Sequence, residues 1–284
     1  MKSFEENYGD WAVVTGASSG IGMEYARQLA AKGLDVVLVA RREDRLRNLA
    51  EELENDHAIR AKVVAADLSS PRGIETLVRE TIDLEIGLLV NNAGREDSGH
   101  FLDIPLERAL ATLRLNCEAP LQLTHHFGQK MRARGRGGIL FMSSVVAVQG
   151  VALIANYAAT KAYDLILAES VAAELGPHGV DVAVVAPGFT ASELSPNASF
   201  DGLPMKPMPA TSVARAGIET LRRSRLAVPG LINKFLYASG KYVQPRALNT
   251  WAFGRVFERV LRSKSKAEAT GQPGQAQALE PSAR

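Results

Sequence analysis

The chain is poor in cysteine and in long apolar runs, and each shortage excludes a class of protein. Cys117 is the only cysteine among 284 residues, so an internal disulfide and a four-cysteine metal site are excluded. The five histidines lack the spacing of a helical metal site, and we expect no metal. No stretch of about 18 apolar residues occurs, so no membrane-spanning helix is predicted.

Neither sign of charge is in large excess, which gives no reason to expect a nucleic-acid partner. Lys and Arg number 33 against 31 Asp and Glu, for a formal net charge of +2. The opening residues, MKSFEENYGD, are polar and acidic, so no signal peptide is predicted and the expected compartment is the cytoplasm. Residues 263–284 have no aromatic residue and are rich in Ala, Gln, Gly and Pro, which predicts a disordered tail.

Apolar segments of strand length alternate with longer segments of helical periodicity. The strand-like segments are WAVVTG, DVVLVAR, AKVVAADL, IGLLVNNAG, GGILFMSS and VDVAVVAPG. Because these runs are apolar on both faces, they indicate strands that are buried on both sides of a sheet. Alternation with helices indicates parallel crossovers. The predicted fold is α/β, a doubly wound parallel sheet (Rossmann fold) in a single domain over 10–262, after a lead-in of residues 1–9.

A glycine-rich stretch, VVTGASSGIG, joins the first predicted strand to the first long helix. The first glycine allows a sharp turn out of the strand, and the other two open the helix so that its backbone N–H groups can approach an anion. The alternative is a tight turn without a ligand. The expected contacts to a nucleotide phosphate are Gly16, Ser18, Ser19, Gly20, Ile21 and Gly22.

The second predicted strand ends at Arg41 and Arg42. NAD sites usually carry an acidic residue near this point, and none is well placed here. A guanidinium group suits the 2′-phosphate of NADP, so NADP(H) is favoured over NAD. The alternative is a pair of arginines that begins a solvated helix. Asp67, next to Leu68 at the end of the third strand, is expected to accept a hydrogen bond from the adenine amino group or to cap the following helix.

The segment YAATK places Tyr157 and Lys161 four residues apart, on one face of a predicted helix. A tyrosine has an ordinary pKa near ~10, which a neighbouring ammonium lowers toward a value useful for acid–base chemistry. Taken alone, the pattern also fits chance and a plain core tyrosine. Ser144, at the end of a predicted strand, and Asn116, in the helix before it, add polar groups to the same region.

Together these motifs resemble those of the short-chain dehydrogenase/reductase family, in its single-domain branch, over about residues 10–190. The matching motifs are TGASSGIG at 15–22, NNAG at 91–94, the LN that ends at Asn116, Ser144, YAATK at 157–161 and PG at 187–188. The glycine spacing G-x-x-x-G-x-G is that of the family. The resemblance implies an NADP(H)-dependent enzyme that interconverts a ketone and a secondary alcohol.

The resemblance also implies a role for each matching residue. Tyr157 would be the general acid in reduction and the base in oxidation, and Lys161 would lower its pKa and hold the nicotinamide ribose. Ser144, favoured over Ser143 by its spacing to the tyrosine, would bond the substrate oxygen, and Asn116 would anchor a water of the proton relay. Further implied cofactor contacts are Asn92, Ala93, Gly94, Pro187, Gly188, Thr190 and Ser192.

Three segments that the motifs leave variable are expected to select the substrate. They are a charged loop at 95–101, an apolar stretch at 145–156 and a lid at about 193–235. The lid contains methionines that suit a lipophilic molecule, although simple packing of the loop explains them equally well. The resemblance implies a 3-oxoacyl or steroid-like ketone as the substrate. Two alternatives stay open: an NADP(H)-binding regulatory or scaffold protein without turnover, and an NAD-dependent alcohol dehydrogenase.

The segment 222–262 is basic and, toward its end, amphipathic. Residues 222–264 carry ten Lys and Arg against one acid, Glu258. An apolar stripe within the segment is formed by Leu248, Trp251, Ala252, Val256 and Val260. A stripe of this kind fits a helix at a membrane surface, here through 245–262, but more often such a stripe packs on its own domain or on a partner subunit. The resemblance implies a homodimer or homotetramer.

Overall fold

The computed structural model describes residues 4–190 and 207–243, together with residues 250, 254, 255 and 258. Its centre is a sheet of seven parallel strands in the order β3-β2-β1-β4-β5-β6-β7. The strands are β1 (Trp11–Thr15), β2 (Asp35–Ala40), β3 (Ala61–Ala65), β4 (Ile86–Asn91), β5 (Gly137–Met142), β6 (Val180–Val185) and β7 (Leu226–Ala227).

Helices cover both faces of the sheet. They are α1 (Phe4–Tyr8), α2 (Gly20–Ala30), α3 (Glu43–His57), α4 (Pro71–Glu80), α5 (Leu106–Leu113), α6 (Ala119–Arg134), α7 (Ala155–Leu175), α8 (Ala210–Thr220) and α9 (Leu231–Ala238). Shorter helical turns lie at 101–103, 145–148 and 176–178, and π-helical segments lie at 114–118 and 239–243. No helix of the described residues combines the length and the apolar composition needed to cross a membrane.

The core has two halves, one on each side of the sheet. Alternate residues of β1 divide between them, with Trp11 and Val13 on one side and Ala12 and Val14 on the other. One half is closed by α4, α6 and α7, and the other by α2, α3 and α8. Strands that bury both faces explain the continuous apolar runs in the sequence. The predicted doubly wound parallel sheet is confirmed.

The strand order reverses between β1 and β4, since β1 pairs with β2 on one side and with β4 on the other. Ligands of open α/β sheets bind at the carboxyl ends of the strands at such a point. Both the glycine-rich stretch after β1 and the NNAG motif at the end of β4 therefore lie at this edge.

The structure describes part of the expected lid, residues 210–227. This part contains α8 and the edge strand β7, and Val213, Ala214 and Ile218 are buried against the sheet. Because α8 packs extensively against α2, its apolar face belongs to the core rather than to a loop over the site. The remaining lid residues up to 206, the stripe at 248–260 and the tail at 263–284 lie outside the described residues, apart from the single positions given above.

The lead-in contributes to the core through Tyr8, which the sequence did not single out. Its side chain is only 1% exposed and its hydroxyl donates to Asp181 Oδ2 at 2.8 Å. Gly87 and Gly138 lie against it, and a Cβ on Gly87 would lie 1.2 Å from Tyr8 O. These contacts close the amino ends of the strands, on the side opposite the NNAG motif.

We expect Tyr8→Ala to lower the free energy of unfolding by about 3–5 kcal/mol, because a large aromatic side chain leaves a cavity. Tyr8→Phe keeps the ring and loses one hydrogen bond, so it should cost only about 1 kcal/mol. Urea denaturation followed by circular dichroism measures both values. Equal losses for the two variants would show that the hydroxyl, not the ring, is what stabilises this end of the sheet.

Candidate active site

Thr15, the last residue of β1, joins β1 to β4, the two strands between which the strand order reverses. Its Oγ1 donates to Val90 O at 3.0 Å and accepts from the backbone N–H groups of Asn92 and Ala93, each at 2.9 Å. Asn92 Nδ2 donates in turn to Thr15 O at 2.8 Å. The glycine-rich loop and the NNAG motif are therefore held as one unit. Thr15 stands in the quoted motif, but its role in joining the strands could not be inferred from the sequence.

The glycine-rich loop forms a close-fitting turn into α2. Gly16 and Gly20 have φ of +71° and +56°, which glycine adopts without strain. A Cβ on Gly22 would lie 2.3 Å from Gly16 O, so only glycine fits there. Among the described contacts, the side chain of the N-cap residue Ser19 makes no bond to the helix. The first N–H groups of α2 and its positive dipole end can thus receive an anion.

The structure separates the two arginines at the end of β2. The Arg42 guanidinium donates to Ser18 Oγ through Nε at 3.2 Å and Nη2 at 2.9 Å, and Nη2 also donates to Ser19 Oγ at 2.9 Å. Arg41 is exposed. A fixed guanidinium beside the glycine-rich loop is suited to a phosphate group that lies next to the ribose.

Asp67 does not cap α4, because Ser70 is the N-cap and its Oγ accepts from the helix backbone. Asp67 Oδ1 instead accepts from Ser69, through N at 3.0 Å and Oγ at 2.7 Å. Burial raises the pKa of Asp67, but these bonds and the charge of Arg41 outweigh it and lower the pKa. Leu68 is buried in the core. Asp67 therefore remains available to an adenine amino group.

Asn116 lies in the π-helical segment 114–118 between α5 and α6. Its Oδ1 accepts from Arg95 N at 2.9 Å, and its Nδ2 donates to Arg95 O at 2.9 Å and to Thr160 Oγ1 at 3.0 Å. The amide thus fastens the segment after NNAG to α7. Gly94 lies beside both polar groups, since a Cβ there would lie 3.4 Å from Asn116 Oδ1 and 3.7 Å from Lys161 Nζ. Local π-helical geometry frequently occurs at functional sites.

Tyr157 and Lys161 lie side by side at the start of α7. Lys161 Nζ lies 5.9 Å from the centre of the Tyr157 ring. The side chains are buried, with 8% of Tyr157 and 5% of Lys161 exposed. Lys161 Nζ donates to Met142 O, at the end of β5, at 2.7 Å, which places the ammonium at the carboxyl edge of the sheet.

The pKa of Tyr157 is raised rather than lowered from its ordinary value. Burial is the largest cause, because it disfavours the charged phenolate, and the carboxylates of Glu96 and Asp164 add to it. A hydrogen bond with Ser144 acts in the opposite direction. The sequence motif pointed only to the ammonium of Lys161, and the two carboxylates were not predictable because neither lies in a recognised motif.

The structure distinguishes the two candidate serines after β5. Ser143 Oγ donates to Lys161 O at 2.7 Å and is used to hold α7. Ser144 Oγ lies 3.5 Å from Pro187 O, accepts from Val146 N at 3.4 Å and is the serine bonded to Tyr157. Ser144 is therefore the serine on the tyrosine side.

The turn after β6 lies beside the same edge and is covered by α9. A Cβ on Gly188 would lie 2.2 Å from Asn233 Oδ1, and Asn233 Nδ2 donates to Pro229 O at 2.8 Å. Thr190 Oγ1 donates to Gly188 O at 3.1 Å. Ser192 lies outside the described residues. Asn233 was missed by sequence reasoning, since it stands in no motif and meets the turn only through the fold.

Comparison with known proteins agrees with this geometry. Residues 10–201, more than half of the chain, match the family model described as short chain dehydrogenase. The chain is 34% identical over 188 residues to a 7beta-hydroxysteroid dehydrogenase of Collinsella aerofaciens, covering 66% of this chain and 72% of that protein. It is 38% identical over 182 residues to a very-long-chain 3-oxoacyl-CoA reductase of Podospora anserina, covering 62% of this chain and 54% of that protein.

Solved structures with the same fold include two close matches. A structure of a 7beta-hydroxysteroid dehydrogenase has a TM-score of 0.82 at 28% identity, covering 89% of this chain and all of that one (100%). A short-chain dehydrogenase from Sphingobium yanoikuyae in complex with NADPH has a TM-score of 0.74 at 29% identity, covering 97% of this chain and 100% of that chain. The chain belongs to the short-chain dehydrogenase family. It is an oxidoreductase, as the motifs predicted.

We expect Thr15→Val to lower the free energy of unfolding by about 1–3 kcal/mol, because two partly buried N–H groups lose their acceptor. The control is Thr220→Val, whose hydroxyl only donates to a carbonyl one helical turn earlier, at 2.7 Å. Chemical denaturation of both variants measures the difference. A Thr15 variant that loses no more than the Thr220 variant would contradict the role of Thr15 in joining the strands.

Proposed function

We propose that this protein is an NADP(H)-dependent reductase that interconverts a lipophilic ketone and a secondary alcohol. The observation that carries the proposal is the buried pair of Tyr157 and Lys161, with Ser144 bonded to the tyrosine, at the same sheet edge as the glycine-rich loop. A regulatory or scaffold protein would have no use for a buried lysine beside a buried tyrosine, because burying an ammonium is costly.

The residues of the edge fit NADP(H). The loop from Gly16 to Gly22 would receive the pyrophosphate, and Arg42 would bind the 2′-phosphate together with Ser18 and Ser19. The rest of the cofactor would be contacted by Asn92, Ala93, Gly94, Pro187, Gly188 and Thr190. When bound, the cofactor supplies the hydride that reduces the carbonyl carbon. An NADPH complex of a similar protein supports this choice over the NAD-dependent alternative.

Side chains of the protein would donate the proton and stabilise the charge that develops on the substrate oxygen. Reduction builds negative charge on the carbonyl oxygen, and the hydroxyls of Tyr157 and Ser144 would donate to it. Tyr157 would then transfer its proton to that oxygen as general acid. Because the pKa of Tyr157 is raised, the acid form is present at neutral pH and is lost only as the pH rises. Lys161 would hold the ribose, and Asn116 would keep the segment after NNAG in place and anchor a water.

A lipophilic substrate is supported by the surroundings of Ser144 and by the relatives. Val145, Val146, Val151 and Ile154, which follow the serine, are all buried and apolar. Similar proteins are named for a steroid and for a very-long-chain 3-oxoacyl thioester. A steroid ketone and a 3-oxoacyl thioester are therefore the proposed substrate classes, and spectrophotometric screening with NADPH of both classes tests them.

We further propose a homodimer or homotetramer located in the cytoplasm. Apolar side chains are exposed on α5, α6 and α7, at Leu106, Leu121 and Ile166, and a subunit contact would cover them. The alternative for the C-terminal region is contact with a membrane surface through 245–262. Light scattering of the full chain reports its oligomeric state, and co-sedimentation with anionic liposomes reports membrane contact.

We expect Tyr157→Phe to reduce turnover by about 10²–10⁴-fold, because the general acid is removed. Affinity for NADPH should be nearly unchanged, since the glycine-rich loop and Arg42 are intact. Tyr163→Phe, which changes a partly exposed tyrosine on the same helix, is the matched control and should retain its activity. Turnover of Tyr157→Phe close to that of the control would contradict the proposed mechanism.

We expect Arg42→Ala to weaken NADPH binding by about 10–100-fold, since bonds to a charged group contribute about 1.5–3 kcal/mol. NADH lacks the 2′-phosphate, so its affinity should change little. Arg41→Ala is the control, because Arg41 is exposed and does not reach the loop serines in the described contacts. Fluorescence titration of the reduced nicotinamide measures the four affinities. Equal loss for NADPH and NADH in Arg42→Ala would contradict the phosphate role.

A further inference from the structure

A second ionisable group is buried beneath Lys161. Asp164 lies three residues further along α7, is 2% exposed, and its Oδ2 accepts from Lys161 Nζ at 3.0 Å. Its other oxygen, Oδ1, has no hydrogen-bond partner among the described residues. A buried carboxylate is costly to hold in a protein without close compensation, so this aspartate depends on the lysine charge.

The pairing with Asp164 reduces both the number of protons and the charge that the Lys161 ammonium presents to Tyr157. An ammonium has three protons. One is directed to Met142 O at 2.7 Å and one to Asp164 Oδ2, so a single proton remains for the open side of the site. With Asp164 ionised, the lysine and the aspartate together carry no net charge. The field that Lys161 exerts on the phenol is then partly cancelled.

The other titratable groups near this pair come from three parts of the fold. Glu96, in the segment after β4, raises the pKa of Tyr157 through its charge. Cys117 lies in the π-helical segment. Burial and the charge of Asp164 raise its pKa to about 12, against the opposing charge of Lys161. Burial also raises the pKa of Tyr163. Burial raises the pKa of Asp164 to about 6, against the opposing effect of Lys161. The ion pair with Lys161 Nζ at 3.0 Å favours the ionised form of Asp164.

We propose that Asp164 is a positioning residue for the proton transfer: by pairing with Lys161 it withholds part of the lysine charge from Tyr157 and keeps the phenol protonated. This inference rests on the proposed function. Reduction converts ketone, NADPH and H⁺ to alcohol and NADP⁺, and the proton that Tyr157 gives up is replaced from solvent. The protonated phenol is the form that reduction requires, whereas oxidation requires the phenolate.

The test measures the ionisation of Tyr157 directly, by ultraviolet difference absorbance of tyrosinate in the full chain. The signal of Tyr157 is obtained by subtracting the titration of Tyr157→Phe from that of the parent protein, and the subtraction is repeated in an Asp164→Asn background. We expect Asp164→Asn to lower the midpoint by about one pH unit, because the lysine charge is no longer opposed. If ketone reduction is measurable, its alkaline limb should move by the same amount.

Two control variants separate this effect from a general disturbance of α7. Asp164→Glu retains the charge and should retain the parent midpoint. Glu169→Gln removes a half-exposed carboxylate of the same helix that pairs with Lys241 at 3.8 Å, and it should also leave the midpoint unchanged. If Asp164→Asn does not fold, Asp164→Leu replaces it, since an apolar residue of similar size suits a buried position.

The proposal is overturned if removing the charge of Asp164 leaves the ionisation midpoint of Tyr157 unchanged. It is also overturned if that midpoint still lies above the pH at which the protein unfolds. It is also overturned if Tyr157 of the parent protein ionises below neutral pH, a result that needs no Asp164 variant. The titration requires neither cofactor nor substrate. A shifted midpoint without turnover of any ketone would therefore contradict the proposed function and leave the role of Asp164 standing.

Discussion

The hydroxyl of Thr15 bonds three backbone groups of β4 and of the segment after it, and this contact determines how closely the two halves of the site approach. The glycine-rich loop extends from β1, and the segment that Asn116 fastens to α7 extends from β4. Any loss of contact between β1 and β4 would move the loop relative to Tyr157. A hydroxyl can do this because it donates and accepts at the same time.

Burial of Tyr157 and Lys161 has two opposite consequences. It excludes water, so that hydrogen bonds to a developing charge are stronger than they would be in solution. It also makes each charge costly, which explains why Lys161 is held by Met142 O and Asp164 and why the pKa of Tyr157 is raised. The burial that builds the site therefore keeps the phenol of Tyr157 in its protonated form at neutral pH.

The sequence predicted the elements whose signal is local. Apolar runs identified β1 to β6, and glycine spacing identified the turn into α2, because each depends on neighbouring residues only. Contacts between distant segments were not predictable. Nothing local distinguishes Arg42 from Arg41, and Asp164 looked like one more helix residue. The two-residue strand β7 lies within the expected lid and was not predicted as a strand. Its burial depends on pairing with β6, which is far away in the chain.

The edge of the sheet at the glycine-rich loop is built differently from the region of α9. This edge consists of strand ends and tight turns, so its geometry changes little without unfolding the sheet. Helix α9 is attached through Asn233, which packs against the backbone of Gly188 and bonds Pro229 O, and through Tyr237, which is buried in the core. Leu231 and Phe235 of the same helix remain exposed. The exposed face of α9 can therefore vary in sequence without changing the contacts of Asn233 and Tyr237, which hold the helix beside the sheet edge.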